Sequence, residues 1–86
     1  MEKLTFISTP SHGYLKVASN EVPKGIVNKI SQCSVKIGSY WYLEEDCDCQ
    51  LFLDWYTSKN NISQSDLWDK INEVYSETFK LGGSNG

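Results

Sequence analysis

The chain has 86 residues, a formal charge of −3 and 13% aromatic residues, enough for one domain with one dense core and too little for a second. It contains no arginine, the residue best shaped to read phosphate and guanine, and its net charge is negative. Both features argue against nucleic acid as the main partner. No stretch approaches the roughly 20 apolar residues of a membrane span.

Met1-Glu2-Lys3-Leu4 carries no apolar signal region, so the expected location is the cytoplasm. In a reducing compartment Cys33, Cys47 and Cys49 are most simply thiols. Residues 1–43 hold five lysines against two glutamates, a balance of +3, whereas residues 44–86 hold three lysines against nine acids, a balance of −6. The second half is therefore an acidic surface, suited to a basic partner such as the nucleic-acid-binding face of another protein. Acidic helices that only keep a small protein in solution would show the same composition. A domain this small needs large side chains inside, and the three tryptophans, three phenylalanines and five tyrosines are first read as core.

In chain order, residues 3–7 are rich in β-formers and predict a first strand. Residues 8–13 form a turn, where Pro10 fixes its own φ and Gly13 supplies conformational freedom. Residues 14–18 alternate and predict the second strand of a hairpin. Ser19 to Pro23 breaks it, with Pro23 placed for the first turn of a helix. Ile26, Val27 and Ile30 give residues 24–30 one apolar face over a short helix. Residues 33–37 and 39–43 predict two more strands around a Gly38-Ser39 turn. There Trp41 and Leu43 face one way and Tyr40 and Tyr42 the other. If one face alone is core, these tyrosines are open to a partner; a helix over both faces would bury them.

Asp46 is positioned to cap a helix over residues 47–57, with Cys47, Leu51 and Trp55 as its apolar stripe beside Phe52. Residues 58–61 form a loop and Ile62 a hydrophobic staple. Either Ser63 or Ser65 is placed to cap a last helix reaching residue 80, with Leu67, Ile71, Val74 and Phe79 inside and Asp66, Asp69, Glu73 and Glu77 on its polar side. Gly82 suits its end. The expected fold is α+β: an antiparallel sheet of about four strands packed on two C-terminal helices, in the order β-β-(short α)-β-β-α-α. A single domain spans residues 1–81, with a loose tail over 82–86.

His12 sits in a turn beside Gly13, where nothing in the spacing pairs it with a carboxylate or thiol for catalysis. Cys33, Cys47, Cys49 and His12 have ligand types that zinc accepts, but the C-x-C spacing is wrong for a zinc site. The acidic run Glu44 to Asp48 is contiguous, whereas hard cations need oxygens from several directions. No metal and no cofactor are expected. No phosphate-cradling glycine loop and no hydrolase motif occurs, so the expectation is a binding protein rather than an enzyme.

Thr9-Pro10-Ser11-His12-Gly13-Tyr14-Leu15-Lys16-Val17, followed by Tyr42-Leu43-Glu44-Glu45-Asp46-Cys47-Asp48, resembles a group of small proteins from phages and mobile elements. Those proteins carry the paired patterns P-x-H-G-[YW]-L-x-V and [YF]-L-E-E-D-C-D. The resemblance covers roughly residues 4–55 and implies a phage-type accessory protein. Its expected role is inhibition of a host defence protein, of anti-CRISPR or anti-restriction type, in the host cytoplasm. The expected binding surface is Asp54, Asp66, Asp69, Glu73 and Glu77, with Tyr40 and Tyr42. The alternative is a small-ligand site, for a nucleotide signal, where the two motifs meet: His12, Gly13, Glu44, Glu45, Asp46 and Asp48. A homodimer and a virion-associated structural role are both compatible with the same features.

Overall fold

The structure is a computed structural model that describes residues 4–79. It is an α+β fold with one five-stranded, mostly antiparallel sheet. Strands β1 (Thr5–Ser8) and β2 (Gly13–Ala18) form the expected hairpin, and a 3-10 turn over Ser19–Glu21 leads to the one-turn helix α1 (Lys24–Val27). Strands β3 (Val35–Ile37) and β4 (Tyr40–Glu44) follow, then helices α2 (Cys49–Asn60) and α3 (Gln64–Lys70), and finally strand β5 (Asn72–Tyr75). The strand order is β3-β4-β2-β1-β5, antiparallel except for the β1–β5 pair.

Gly38 and Ser39 join β3 to β4 as a two-residue turn, since Ile37 pairs with Tyr40. Gly38 holds φ at 61°, in the left-handed region where a side chain is strained. Gly13 meets a different demand. A β-carbon there would lie 2.5 Å from Phe6 Cζ, so the absent side chain is what lets the Phe6 ring cross β2.

One face of the sheet carries Leu4, Phe6, Leu15, Val17 and Leu43, all buried, and the helices close over it. The helical period along α2 turns Cys49, Phe52 and Leu53 inward; of the expected stripe, Phe52 is buried and Leu51 and Trp55 pack half-buried against the core, while Cys47 does not join it. Asp48, not Asp46, occupies the N-cap position, which leaves Cys47 exposed before the first turn. Phe52 stacks on Tyr56 at 5.9 Å between ring centres, and Phe6 meets Trp68 of α3 edge-on at 5.3 Å. Among the described aromatics only Phe6 and Phe52 are fully inside; Trp41, Trp55, Trp68 and Tyr56 pack half-buried around them.

Helix α3 begins as expected. Ser63 caps it by accepting the Asp66 N–H at 3.0 Å, and Ile62 packs against the core. It does not reach residue 80. Ile71 turns to φ −82°, ψ 134°, and residues 72–75 become β5, parallel to β1. Leu67, Ile71 and Val74 match a helical period, and that match is overridden by pairing: without β5, the outer N–H and C=O groups of β1 would have no strand partner. Helix α1 likewise stops at Val27, short of the expected residue 30. The helix end proposed at Gly82 and the tail over 82–86 lie outside the described residues.

Candidate functional site

Three regions collect the residues singled out by sequence. The first is the junction of the two motifs, and the fold does bring them together. Glu45 N–H donates to the Gly13 carbonyl at 2.8 Å, extending the pairing of β2 with β4. His12 Nδ1 lies 3.0 Å from Glu44 Oε2, the ring half exposed and the carboxylate buried. Glu44 Oε1 accepts the Asp46 N–H at 2.8 Å. Asp48 takes no part in capping α2. Its carboxylate accepts the Ser31 N–H at 3.1 Å, the Ser31 hydroxyl at 2.9 Å and the Ser34 hydroxyl. Ser34 Oγ in turn accepts the Glu44 N–H at 3.0 Å.

The acidic run is thus occupied by its own protein. The Asp48 carboxylate and the Glu44 N–H tie the 31–34 turn to the end of β4, the Glu44 carboxylate holds His12 and the Asp46 N–H, and every buried side-chain polar atom among the described residues has a partner. His12 is held by its backbone as well, since Thr9 Oγ1 donates to the His12 carbonyl at 2.7 Å and accepts its N–H at 2.9 Å. Glu45 and Asp46 are exposed. Tyr14, which pairs with Glu44 across the sheet, has its phenol pKa raised by burial and by the Glu44 charge. No group of three or more His, Cys, Asp or Glu residues is arranged to hold a metal ion among the described residues.

The second region is the sheet face away from the helices. Register puts Tyr14, Lys16, Tyr40 and Tyr42 there, as the alternation against Trp41 and Leu43 predicts. The tyrosines are half-buried rather than open. Phe79 leans on Tyr14 and Tyr42 at 5.7 and 5.5 Å, and Lys16 Nζ lies 4.3 Å over the Tyr40 ring.

The third region is the acidic set. Asp66 and Asp69 are three residues apart on α3, both exposed, and so on one helix face. Asp54 lies on α2, where its Oδ1 accepts the side-chain amides of Gln50 and Gln64 at 2.8 and 2.7 Å. Glu73 and Glu77 are not on a helix at all. Glu73 is on β5 and Glu77 just beyond it, both exposed. Glu73 is in register with Phe6, hence on the helix side of the sheet, opposite Tyr40 and Tyr42. The surface expected as one is therefore divided between two sides of the molecule.

Sequence reasoning missed the residues between these acids. Val74 is 42% and Tyr75 61% exposed, and they are two of the three large hydrophobic residues left exposed among those described. Their helical spacing hid them, because it placed Val74 inside an amphipathic helix. A groove of about 320 Å³ between the 3-10 turn and α2 was also not foreseen; Pro23, Trp55, Tyr56 and Lys59 line it. No described helix is long and apolar enough to cross a membrane. Comparison of the chain with protein-family models, with curated proteins and with solved structures finds no match.

Proposed function

We propose that this protein acts without catalysis, by binding another protein through the acidic and apolar surface around β5. One observation carries the reading: Val74 and Tyr75 are both exposed on β5, Val74 on one face of the sheet and Tyr75 on the other, with Glu73 and Glu77 flanking them in sequence and Asp69 shortly before. Exposed apolar side chains within a polar rim are the composition of a protein interface. The acids select a basic partner and speed its approach. The resemblance to small phage and mobile-element proteins supplies the partner class: a host defence protein with a basic nucleic-acid-binding surface, inhibited in the anti-restriction or anti-CRISPR manner, in the host cytoplasm.

The nucleotide-signal reading receives less support. Glu44 and Asp48 already accept hydrogen bonds from Asp46, Ser31 and Ser34, and their charge repels phosphate. A photo-reactive residue at position 75 tests the proposal in bacterial cells. Cross-linking to one protein from position 75, absent from position 58 on α2, is the expected result. Equal cross-linking from both positions contradicts it.

A further inference from the structure

The open edge of β5 indicates how such a partner would be held. Asn72 N–H donates to the Leu4 carbonyl at 3.0 Å and Ser76 N–H to the Ser8 carbonyl at 2.8 Å. Backbone groups alternate sides along a strand, so residues 72, 74 and 76 face β1. The N–H and C=O groups of Glu73 and Tyr75 point away from it, and β5 is an outer strand of the sheet. No described strand lies beyond it.

The two edges of the sheet differ. The β3 edge is three residues long with Lys36 at its centre, a short and charged edge of the kind that resists pairing. The β5 edge has neither lysine nor proline, and it offers Val74 on one side of the sheet and Tyr75 on the other. Its charges are acidic. Self-pairing of two antiparallel copies about Val74 would bring Glu73 of one diagonal to Glu73 and Glu77 of the other, which like charge disfavours.

We propose that β5 accepts a basic, extended segment of the partner protein as a sixth strand; this rests on the acidic-surface reading above. Main-chain hydrogen bonds to Glu73 and Tyr75 would supply the pairing. A lysine or arginine beside Glu73 and an apolar residue beside Val74 would supply the selectivity, because side chains alternate faces.

The probe is a capped decapeptide alternating lysine with valine, compared with its glutamate-for-lysine counterpart. NMR amide exchange is read on the full chain. The lysine peptide is expected to slow exchange at the Glu73 and Tyr75 amides at least tenfold, with the glutamate peptide doing nothing. Tyr75→Pro removes an outward N–H without touching the β1 ladder, and is expected to weaken binding at least tenfold beyond Tyr75→Ala, which keeps the N–H. The same loss should follow N-methylation of alternate peptide residues, which needs no protein variant. Unchanged exchange at both amides with saturating peptide overturns the strand-addition proposal. So does equal binding by Tyr75→Ala and Tyr75→Pro with binding lost only in Asp69→Lys/Glu73→Lys/Glu77→Lys; the acidic-surface reading then stands. If the triple variant binds the lysine peptide as well as wild type, both fall.

Discussion

Asp48 and Ser31 meet across the turn before α2, where one carboxylate accepts both the N–H and the hydroxyl of the same serine, at 3.1 and 2.9 Å. Asp48 is 4% exposed, so its carboxylate depends on these donors more than on water, although Ser31 itself lies at the surface. Asp48→Ala strands the Ser31 and Ser34 donors together. It should cost about 2–3 kcal/mol, in line with the loss of hydrogen bonds to a charged acceptor. Urea unfolding measures this. His12→Ala removes one hydrogen bond made by a half-exposed ring and should cost about 1 kcal/mol.

Gly13 should tolerate no side chain. In Gly13→Ala the new methyl would sit 2.5 Å from Phe6 Cζ and 2.8 Å from Glu45 Oε1, so the Phe6 ring must shift from its contact with Trp68. Overpacking of this kind costs about 1–3 kcal/mol. Thermal unfolding checks the loss, and Phe6→Leu in the same chain should recover part of it by clearing the space.

The three thiols should separate by reactivity. Cys33 and Cys47 are exposed and Cys49 is buried. Hydrogen bonding to the Cys33 side chain, partial desolvation and the Glu44 carboxylate push the Cys47 thiol up to about 12. Burial, then the Glu45 and Glu44 charges, push Cys49 up to about 12 as well. Iodoacetamide at pH 8 should label the exposed Cys33 and Cys47 in the folded chain and Cys49 only on unfolding, because the reagent must reach the thiol and the thiolate is the nucleophile. Peptide mapping of the labelled chain reads the order.

The same burial gives a pH dependence. The folded value of Cys49, about 12, lies above its ordinary 9.0, so from pH 9 upward the unfolded chain binds fewer protons than the folded one. The contribution from Cys49 is full below pH 9 and is lost as pH rises towards 12. Cys49→Ala should flatten that alkaline decline in a series of urea melts, whatever it does to stability at neutral pH.

Much of the fold was legible because local chemistry and packing agreed. Gly38-Ser39 fixes a hairpin, the alternation through Tyr40 to Leu43 assigns its two faces, and Ser63 with Asp66 starts α3. The last strand was not legible. Leu67, Ile71 and Val74 suit a helix as well as a strand, and only the open side of β1, which is distant in sequence, decides between them. The start of α2 failed for a related reason: Asp48 is recruited by Ser31 and Ser34, a contact that no local pattern encodes. At the motif junction the sequence brought His12 and the Glu44–Asp48 segment together as one candidate site but did not pair His12 with Glu44; the structure makes that contact and engages Asp48 with Ser31 and Ser34.

Native mass spectrometry of the chain expressed in bacterial cells tests whether the β5 surface binds a basic protein. Asp69→Lys/Glu73→Lys/Glu77→Lys is run beside wild type, with circular dichroism confirming that both fold. Wild type should give a complex with one protein that weakens as salt rises, and the triple variant should give none. A complex retained by the triple variant, or a small-molecule adduct in place of a protein, would contradict it.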